Sequence, residues 1–161
     1  IEGPSNSVDH RIENLSTELG LLKNEYSILE SVQTKIFWNK TKNLEIFSNS
    51  KKNLLRIVVP ISETLSVLQK LKPYEINYFL DWGGSLIWAE LEKISLKILR
   101  EIKDLTQQHS GYFTIIKVED DLKASADIFT IDPIKYKISE KIKKSFDPKR
   151  IFNPGKMYSG I

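Results

Sequence analysis

The chain has 161 residues and a mass of 18.6 kDa, with 40% hydrophobic and 28% charged residues, a formal charge of +3 and a pI of about 8.9. This composition is typical of one globular domain with a core, not of a disordered chain. The lack of cysteine excludes disulfides, thiolate catalysis and sulfur-ligated metals, and fits a reducing compartment. No apolar run approaches the roughly 20 residues of a membrane span.

The first predicted elements are two helices. The chain starts at Ile1-Glu2-Gly3-Pro4 without an initiator Met or a signal-peptide pattern, so we expect a piece of a longer protein. Ser5 or Ser7 is expected to cap a first helix, whose one buried face comprises Val8, Ile12, Leu15, Leu19 and Leu22. A second helix is predicted over about residues 28–47, with apolar positions at Val32, Ile36, Phe37, Trp38 and Leu44.

A strand and a short helix follow. The segment NLLRIVVP (53–60) is rich in branched apolar residues and stops at Pro60, which predicts a strand. Ser62 is expected to open a helix that turns Leu65, Leu68 and Leu71 inward. Pro73 should end that helix, because proline lacks the N–H that a helix interior requires.

The segment INYFLDWGGSLIWAEL (76–91) predicts a β-hairpin, because Gly83-Gly84 accepts the positive φ angles of a two-residue turn between apolar runs. A turn this tight would pair Trp82 with Ser85, Asp81 with Leu86, and Phe79 with Trp88. One hairpin face, with Ile76, Tyr78, Leu80, Ile87 and Leu91, is suited to cover by helices. We expect the opposite face, with Phe79, Leu86 and Trp88, to stay free of this domain's own helices as an exposed apolar patch.

The remaining elements continue the alternation of helices and strands. Residues 91–105 predict a helix, 110–118 a strand opened by Gly111, and 120–133 a segment that is irregular or only briefly helical. A last helix after Pro133 carries Ile134, Ile138, Ile142 and Phe146 at four-residue intervals. The order contains a β-α-β-β-α-β unit, so the predicted class is α+β, with a ferredoxin-like antiparallel sheet covered by helices on one face, plus a C-terminal helix and tail.

The tail FDPKRIFNPGKMYSGI (146–161) contains Pro148, Pro154 and Gly155, which restrict or direct the backbone more than a disordered terminus requires. Pro148 should stop the helix near Asp147, and Ile151 and Phe152 should anchor the chain. Asn153-Pro154-Gly155-Lys156 then has the composition of a type II turn. From turn chemistry alone, an ordinary surface turn is an equally good interpretation.

Two motifs resemble a known family. The segment FDPKRIFNPGKMY is similar to the C-terminal signature of FAD-linked oxidases of the vanillyl-alcohol oxidase type, and FLDWGGSLIW (79–88) resembles a hairpin in the FAD-binding subunits of bacterial glycolate oxidases. Residues 1–15 resemble the passage into the C-terminal domain of those subunits. The resemblance spans most of the chain, although only the tail and the hairpin are specific.

The resemblance implies that residues 1–161 are the C-terminal cap, or substrate, domain. In this family a preceding domain with a Gly-rich loop holds most of the FAD, since backbone N–H groups must approach the pyrophosphate. Residues 146–161 would return to that domain, with Asn153, Gly155 and Lys156 near the cofactor. Asp81, Phe79 and Trp88 would face the substrate or the flavin domain. The implied reaction is oxidation of a 2-hydroxy acid such as glycolate, and the implied partners are the upstream domain and other glycolate oxidase subunits.

Several alternatives stay open. Some oxidases of this superfamily carry a His-rich motif in the cap, where this chain has Asp81-Trp82-Gly83-Gly84, so a non-catalytic interaction domain of the same fold is the second interpretation. Asp81 is interpreted first as a turn residue, Trp38 and Trp88 as packing residues, and the two histidines as surface residues. No metal ligands or catalytic residue are assigned. The basic stretch around Lys141–Lys156 is interpreted as solvated lysines, not as a nucleic-acid site. We expect a cytoplasmic protein, which partner subunits could hold at the inner membrane.

Overall fold

The computed structural model describes residues 1, 3–22, 24–48, 50, 52–123, 125–126, 128–130 and 132–155. It divides into two compact units, Ile1–Asn49 and Ser50–Ile161. Over the ranges given, none of the helices combines the length and the apolar composition that crossing a bilayer requires.

The first unit contains helices α1 (Ser5–Glu18) and α2 (Ser31–Lys42), followed by a 3₁₀ turn at Glu45–Phe47. The predicted serine cap of α1 is wrong, because Pro4 takes the N-cap position and no side chain caps the helix. At α2 the Glu30 N–H donates a hydrogen bond to the Gln33 side chain over 3.3 Å. The helix is shorter than predicted because Leu44 takes a left-handed φ of 54°, which ends helical geometry.

The prediction that α1 buries an apolar face is wrong. Neither α1 nor α2 contains a buried residue. Large apolar side chains stay exposed along both helices and in the segment that follows α1: Leu15, Leu19, Leu22, Val32, Ile36, Phe37 and Trp38. The periodic pattern specifies one apolar side of a helix but not the surface that covers it. Between the two helices lies an apolar pocket of about 310 Å³, whose lining includes Ile12, Leu29 and Phe37.

The second unit contains a four-stranded sheet. Its elements in chain order are β1 (Asn53–Val58), α3 (Thr64–Leu71), β2 (Asn77–Asp81), β3 (Leu86–Leu91), α4 (Leu96–Gln108), β4 (Tyr112–Lys117), α5 (Asp120–Lys123) and α6 (Pro133–Phe146). The strands lie in the order β2-β3-β1-β4, and all neighbours are antiparallel. This is the ferredoxin-like β-α-β-β-α-β arrangement, so the predicted α+β fold is confirmed.

Helices α3 and α4 cover one face of the sheet. The core joins Leu55 and Ile57 of β1 to Ile87 of β3 and Phe113 of β4, together with side chains from the two helices: Val67, Leu68, Leu71, Leu99 and Ile102. Leu65, which we expected to point inward, is exposed, and Val67 takes the inward position. The helical period explains the difference, because positions 64, 67, 68 and 71 share one side of α3.

The hairpin register agrees with the sequence prediction. Phe79 lies opposite Trp88, and Asp81 lies opposite Leu86. Gly83 and Gly84 have φ angles of 66° and 106°, as the turn requires. The Ser85 N–H donates a hydrogen bond to the Trp82 carbonyl over 3.4 Å, which closes the turn.

The face of Phe79, Leu86 and Trp88 lies opposite the core that α3 and α4 cover, as predicted. The expectation of a wholly exposed patch is wrong. Leu86 is only 2% exposed, and Phe79 and Trp88 are partly buried. The aromatic side chains shield one another, since the rings of Phe79 and Trp88 lie 6.4 Å apart at 30°.

The segment that we expected to be irregular or only briefly helical contains the short helix α5, and after it the chain pairs with the sheet. Phe129 forms an isolated antiparallel bridge with Thr114. The Ile115 N–H donates to the Ile128 carbonyl over 2.9 Å, and the Thr130 N–H donates to the Phe113 carbonyl over 3.1 Å. These bonds satisfy backbone groups of Phe113 and Ile115 at the outer edge of β4, which would otherwise be unpaired within the sheet.

Gly111 allows the end of α4 to pass close to β1, and we predict that Gly111→Ala destabilises the protein. A Cβ atom at this position would lie 2.4 Å from the Val58 carbonyl oxygen and 2.5 Å from a Val59 methyl group. The backbone must shift to relieve such contacts, and we expect a loss of about 1–3 kcal/mol in the free energy of unfolding. Urea denaturation measures this change. Gln108→Ala, at an exposed position nearby, is the control and should cost much less.

Candidate functional site

The tail is organised by Asp147, which follows the last residue of α6. Its side chain is buried and accepts hydrogen bonds from the backbone N–H groups of Ile151 and Phe152, both over 2.9 Å. The Arg150 N–H donates to the Asp147 carbonyl over 3.0 Å. Asp147 therefore fixes the turn at the start of the tail through both its side chain and its backbone carbonyl. The sequence prediction that the helix stops here is confirmed, but the role of the carboxylate was missed.

Lys143 completes this arrangement. Its ammonium lies 2.8 Å from the Asp147 carboxylate and also donates a hydrogen bond to the Phe152 carbonyl. The hydrogen bond from Lys143 is the main reason that the pKa of Asp147 falls from its ordinary 3.8 to about 2, with the bonds from Ile151 and Phe152 acting in the same direction. We interpreted Lys143 as a solvated lysine, and this is wrong because its side chain is mostly buried against the tail.

The apolar residues around this turn are exposed. Ile151 and Phe152 are 66% and 68% exposed, so the expectation that they anchor the tail is wrong. Hydrogen bonds to their backbones, not burial of their side chains, fix this segment. Along α6, the predicted four-residue series is exposed as well: Ile134, Ile138, Ile142 and Phe146. These six side chains are named the α6–tail surface.

The predicted cofactor residues follow directly after this surface. Asn153 has a φ of 44° and Gly155 a φ of 69°, both in the left-handed region. The value at Gly155 agrees with the third position of a type II turn. Lys156 lies outside the described residues.

The predicted residues of the hairpin lie together on the sheet face away from α3 and α4. Asp81 accepts a hydrogen bond from the Trp82 N–H over 2.7 Å, which supports the interpretation of Asp81 as a turn residue. Trp82 has a φ of 52°, which is unusual for a bulky side chain and costs about 1–3 kcal/mol. Asp81 helps to hold this strained backbone. Next to it, the Thr64 hydroxyl donates to the Gly84 carbonyl over 2.7 Å.

Arg56 lies among the tryptophans of this face, and sequence reasoning missed it. In the register of the sheet Arg56 is opposite Trp88 on one side and Thr114 on the other. Its guanidinium carbon lies 4.8 Å from the ring centre of Trp82 and 6.0 Å from that of Trp88. These are cation–π distances. The signal available in the sequence was the single charged residue within the apolar run NLLRIVVP.

The histidines differ from the prediction in one case. His109, expected at the surface, is mostly buried, with Nδ1 2.5 Å from a Glu63 oxygen and Nε2 3.0 Å from the Lys70 ammonium. An ammonium can only donate, so His109 Nε2 accepts the hydrogen bond from Lys70. The Nδ1–H group then donates a hydrogen bond to the Glu63 carboxylate. His10 is exposed and contacts Asn14. Over the described part of the chain, no three His, Cys, Asp or Glu residues are grouped as metal ligands would be.

Comparison of the chain with protein-family models, curated proteins and solved structures finds no match. The functional conclusion is therefore based on the fold and on two groups of residues. The Asp147 cluster comprises Asp147, Lys143 and the backbones of Ile151 and Phe152, and the second group comprises Arg56, Trp82 and Trp88.

The Asp147 cluster predicts that acid loosens the tail. A carboxyl group whose folded pKa is depressed stabilises the fold above its ordinary pKa, and this contribution disappears as the pH falls from about 4 toward 2. We therefore expect the amide signals of Ile151 and Phe152 to move in that pH window, as NMR can measure.

Asp147→Asn should produce the same change at pH 7, because the amide removes the ion pair with Lys143. Asp104→Asn, at an exposed position on α4, is the control. Amide signals of Ile151 and Phe152 that stay unchanged in Asp147→Asn would contradict the proposed role of Asp147.

Proposed function

We propose that this chain is the cap domain of an FAD-dependent oxidoreductase that oxidises a small 2-hydroxy acid such as glycolate. The flavin would be held mainly by another domain, whose Gly-rich loop has no counterpart among the seven glycines of this chain. In this proposal the flavin carries the hydride chemistry, and the cap contributes binding and orientation. The other subunits of a glycolate oxidase would be further partners.

The α6–tail surface is the observation that carries this proposal. Its six apolar side chains are exposed, and the Phe146 side chain is 84% exposed. An apolar surface of this kind is typical of a protein–protein contact. The Asp147 cluster gives the adjoining turn one defined shape, which a loose terminus does not need. Both features support a tail that docks on a flavin-binding domain.

The chemistry of Asn153 and Lys156 supports a flavin contact at the end of this tail. An amide can donate and accept hydrogen bonds at the polar edge of an isoalloxazine ring, and an ammonium favours its anionic reduced form. The Asp147 cluster ends one residue before Asn153, so the position of Asn153 depends on that cluster.

The flavin contact is tested in the longer protein that includes the flavin-binding domain. Asn153→Ala and Lys156→Ala should each weaken flavin retention or shift the reduction potential, as absorbance after dialysis and spectroelectrochemistry measure. Asn153 is exposed, so the melting temperature of the chain alone should stay nearly unchanged in Asn153→Ala. The chain alone should be colourless. If a stoichiometric flavin spectrum of the chain alone survives dialysis, the assignment of the flavin to another domain is wrong.

The docking surface is tested by Ile138→Ser combined with Ile142→Ser. Both side chains are exposed, so the free energy of unfolding of the chain alone should change little. Burial of each isoleucine in a contact contributes about 1.5–3 kcal/mol, so association with the flavin-binding domain should weaken by roughly tenfold or more.

Lys144→Ser is the matched control, since residue 144 lies across the helix from Ile142 and is exposed. Calorimetry of the two separately produced parts measures the affinity. Equal affinities of the double variant and the control would exclude α6 from the contact.

The second candidate is a non-catalytic interaction domain of the same fold. The exposed apolar residues of α1 and α2 favour this candidate, because they offer further surface for partner subunits. The two candidates differ in one measurement. The oxidase activity is measured with the Asn153→Ala and Lys156→Ala variants in place of the wild-type chain. Full activity with both variants favours the interpretation as a non-catalytic interaction domain.

A further inference from the structure

Strand β2 lies at an outer edge of the sheet and pairs on one side, with β3. The opposite outer strand, β4, is paired further by residues 128–130, which exchange backbone hydrogen bonds with Phe113 and Ile115. Over the part of the chain that the structure describes, no segment pairs with the outer side of β2 in this way. This outer side of β2 is named the open edge.

The register of the sheet identifies the backbone groups at the open edge. Along an antiparallel strand, residues alternate between those that hydrogen bond to one neighbouring strand and those that face the other side. The Val59 N–H donates to the Ser85 carbonyl, so the odd-numbered residues of β3 face β1 and the even-numbered residues face β2. The even-numbered residues of β3 pair with the odd-numbered residues of β2. The backbone groups of Tyr78 and Leu80 therefore face outward, and no described residue forms a hydrogen bond with them.

Apolar side chains accompany these backbone groups. Tyr78 and Leu80 are 46% and 43% exposed, and they lie opposite the core residues Ala89 and Ile87, on the side of the sheet that the helices cover. Leu65 of α3 is exposed as well. A pocket of about 350 Å³ lies beside them, with Leu65 and Tyr78 in its lining. An apolar strip along an open backbone edge is suited to the addition of another strand.

The open edge has none of the usual protection against pairing. Natural edge strands are commonly protected by lysine or proline, by a bulge, or by a covering segment. The strand Asn77–Asp81 contains no lysine and no proline, and its register with β3 is continuous. Its one charged residue, Asp81, is the last of the strand and accepts a hydrogen bond from the Trp82 N–H. An edge of this composition favours pairing with a further strand.

The sequence of β2 is complementary to itself in the antiparallel direction. A two-fold axis at Phe79 places Tyr78 of one copy opposite Leu80 of the other, so the outward backbone groups of both residues are hydrogen bonded in both copies. The tyrosine ring then packs on the leucine side chain. On the other side of the sheet, the Asn77 amide lies opposite the Asp81 carboxylate, to which it can donate a hydrogen bond. A foreign peptide can use the backbone groups, but these side-chain matches are specific to a second copy.

We propose that two copies of this chain pair along β2 and join their four-stranded sheets into one. The contact closes after two copies, because the same edge is used by both and β4 is already paired at Phe113 and Ile115. In the dimer, Leu80 of the second copy lies against Tyr78 at the pocket beside α3, and Leu65 covers the junction. The pairing uses neither a flavin nor the α6–tail surface, so it is independent of the proposed function.

Sedimentation equilibrium of the chain measures the association. The average mass should rise with concentration from 18.6 kDa toward twice that value. Leu80→Lys places an ammonium in the junction and should weaken the association by roughly tenfold or more, because the charge loses water without gaining a partner. Ile116→Lys, at a similarly exposed apolar position on β4, is the matched control and should associate normally. A wild-type chain that remains monomeric at about 1 mM overturns the proposal, as does unchanged association of a folded Leu80→Lys.

Hydrogen exchange locates the contact at the open edge. The amide hydrogens of Tyr78 and Leu80 face outward in one copy and become hydrogen bonded in the dimer. Their exchange with deuterium should therefore slow as the protein concentration rises. Exchange at both residues that does not depend on concentration, in a sample that sedimentation shows to be dimeric, overturns pairing along β2.

A single introduced cysteine tests the register. The chain has no cysteine of its own, so any disulfide must join two copies. At residue 79 the two Cβ atoms would be about 4.5–5.5 Å apart across the axis, and Phe79→Cys should cross-link readily when dissolved oxygen oxidises the thiols. Asn77→Cys is the control on the same face of β2. Its counterpart lies four residues along the strand, about 13 Å away, which a disulfide cannot span.

The relative rates of cross-linking decide between the proposed register and random collision. Residue 77 is exposed and residue 79 is partly buried, so random collision favours Asn77→Cys. The proposed dimer requires the opposite order, with Phe79→Cys faster by roughly tenfold or more. Equal rates, or faster cross-linking of Asn77→Cys, overturn the proposal. This comparison decides the question even if Leu80→Lys does not fold.

Discussion

The alternation of side chains along β1 is the constraint on which the rest of the structure depends. This strand is central in the sheet and pairs with both β3 and β4. Leu55 and Ile57 point to the face covered by α3 and α4, while Arg56 between them must point to the other face. A shift of one residue would put a guanidinium into the core and an isoleucine among the tryptophans. Core formation and the position of Arg56 are therefore set by the same register.

The sequence predicted an element's packing correctly only where the sequence pattern also specifies which residues that element contacts. The hairpin did, because Gly83-Gly84 fixes the turn and the turn fixes which residues lie opposite each other across the strands. The apolar residues of α4 pack against the sheet, as Leu99 and Ile102 show. The equally regular pattern of α6 did not, because an apolar stripe indicates that a helix contacts something and not what it contacts. Leu44, whose left-handed φ ends α2 early, carries no such signal in its residue type.

The candidate site was predicted less completely than the fold, and Asp147 shows why. An Asp before Pro148 predicts the end of a helix, and that much was correct. The burial of its carboxylate depends on Lys143 one turn earlier and on two N–H groups four and five residues later. These partners converge only after the chain has reversed, which Arg150 makes possible with a φ of 52°. The four-residue spacing in the sequence is compatible with an ion pair between Lys143 and Asp147. The hydrogen bonds from the Ile151 and Phe152 N–H groups can be recognised only in the folded turn.

The turn of the hairpin shows how an unfavourable backbone conformation is held by neighbouring contacts. A glycine at residue 82 would adopt its positive φ without strain, and the turn would be more stable in isolation. Tryptophan is unfavourable there, and its ring centre lies 4.8 Å from the Arg56 guanidinium carbon, at a cation–π distance. The hydrogen bond from Trp82 N–H to Asp81 and that from Thr64 to the Gly84 carbonyl offset part of the strain. The remaining strain is the cost of holding the indole over the guanidinium, since the same φ of 52° that is unfavourable for tryptophan also sets the position of its ring.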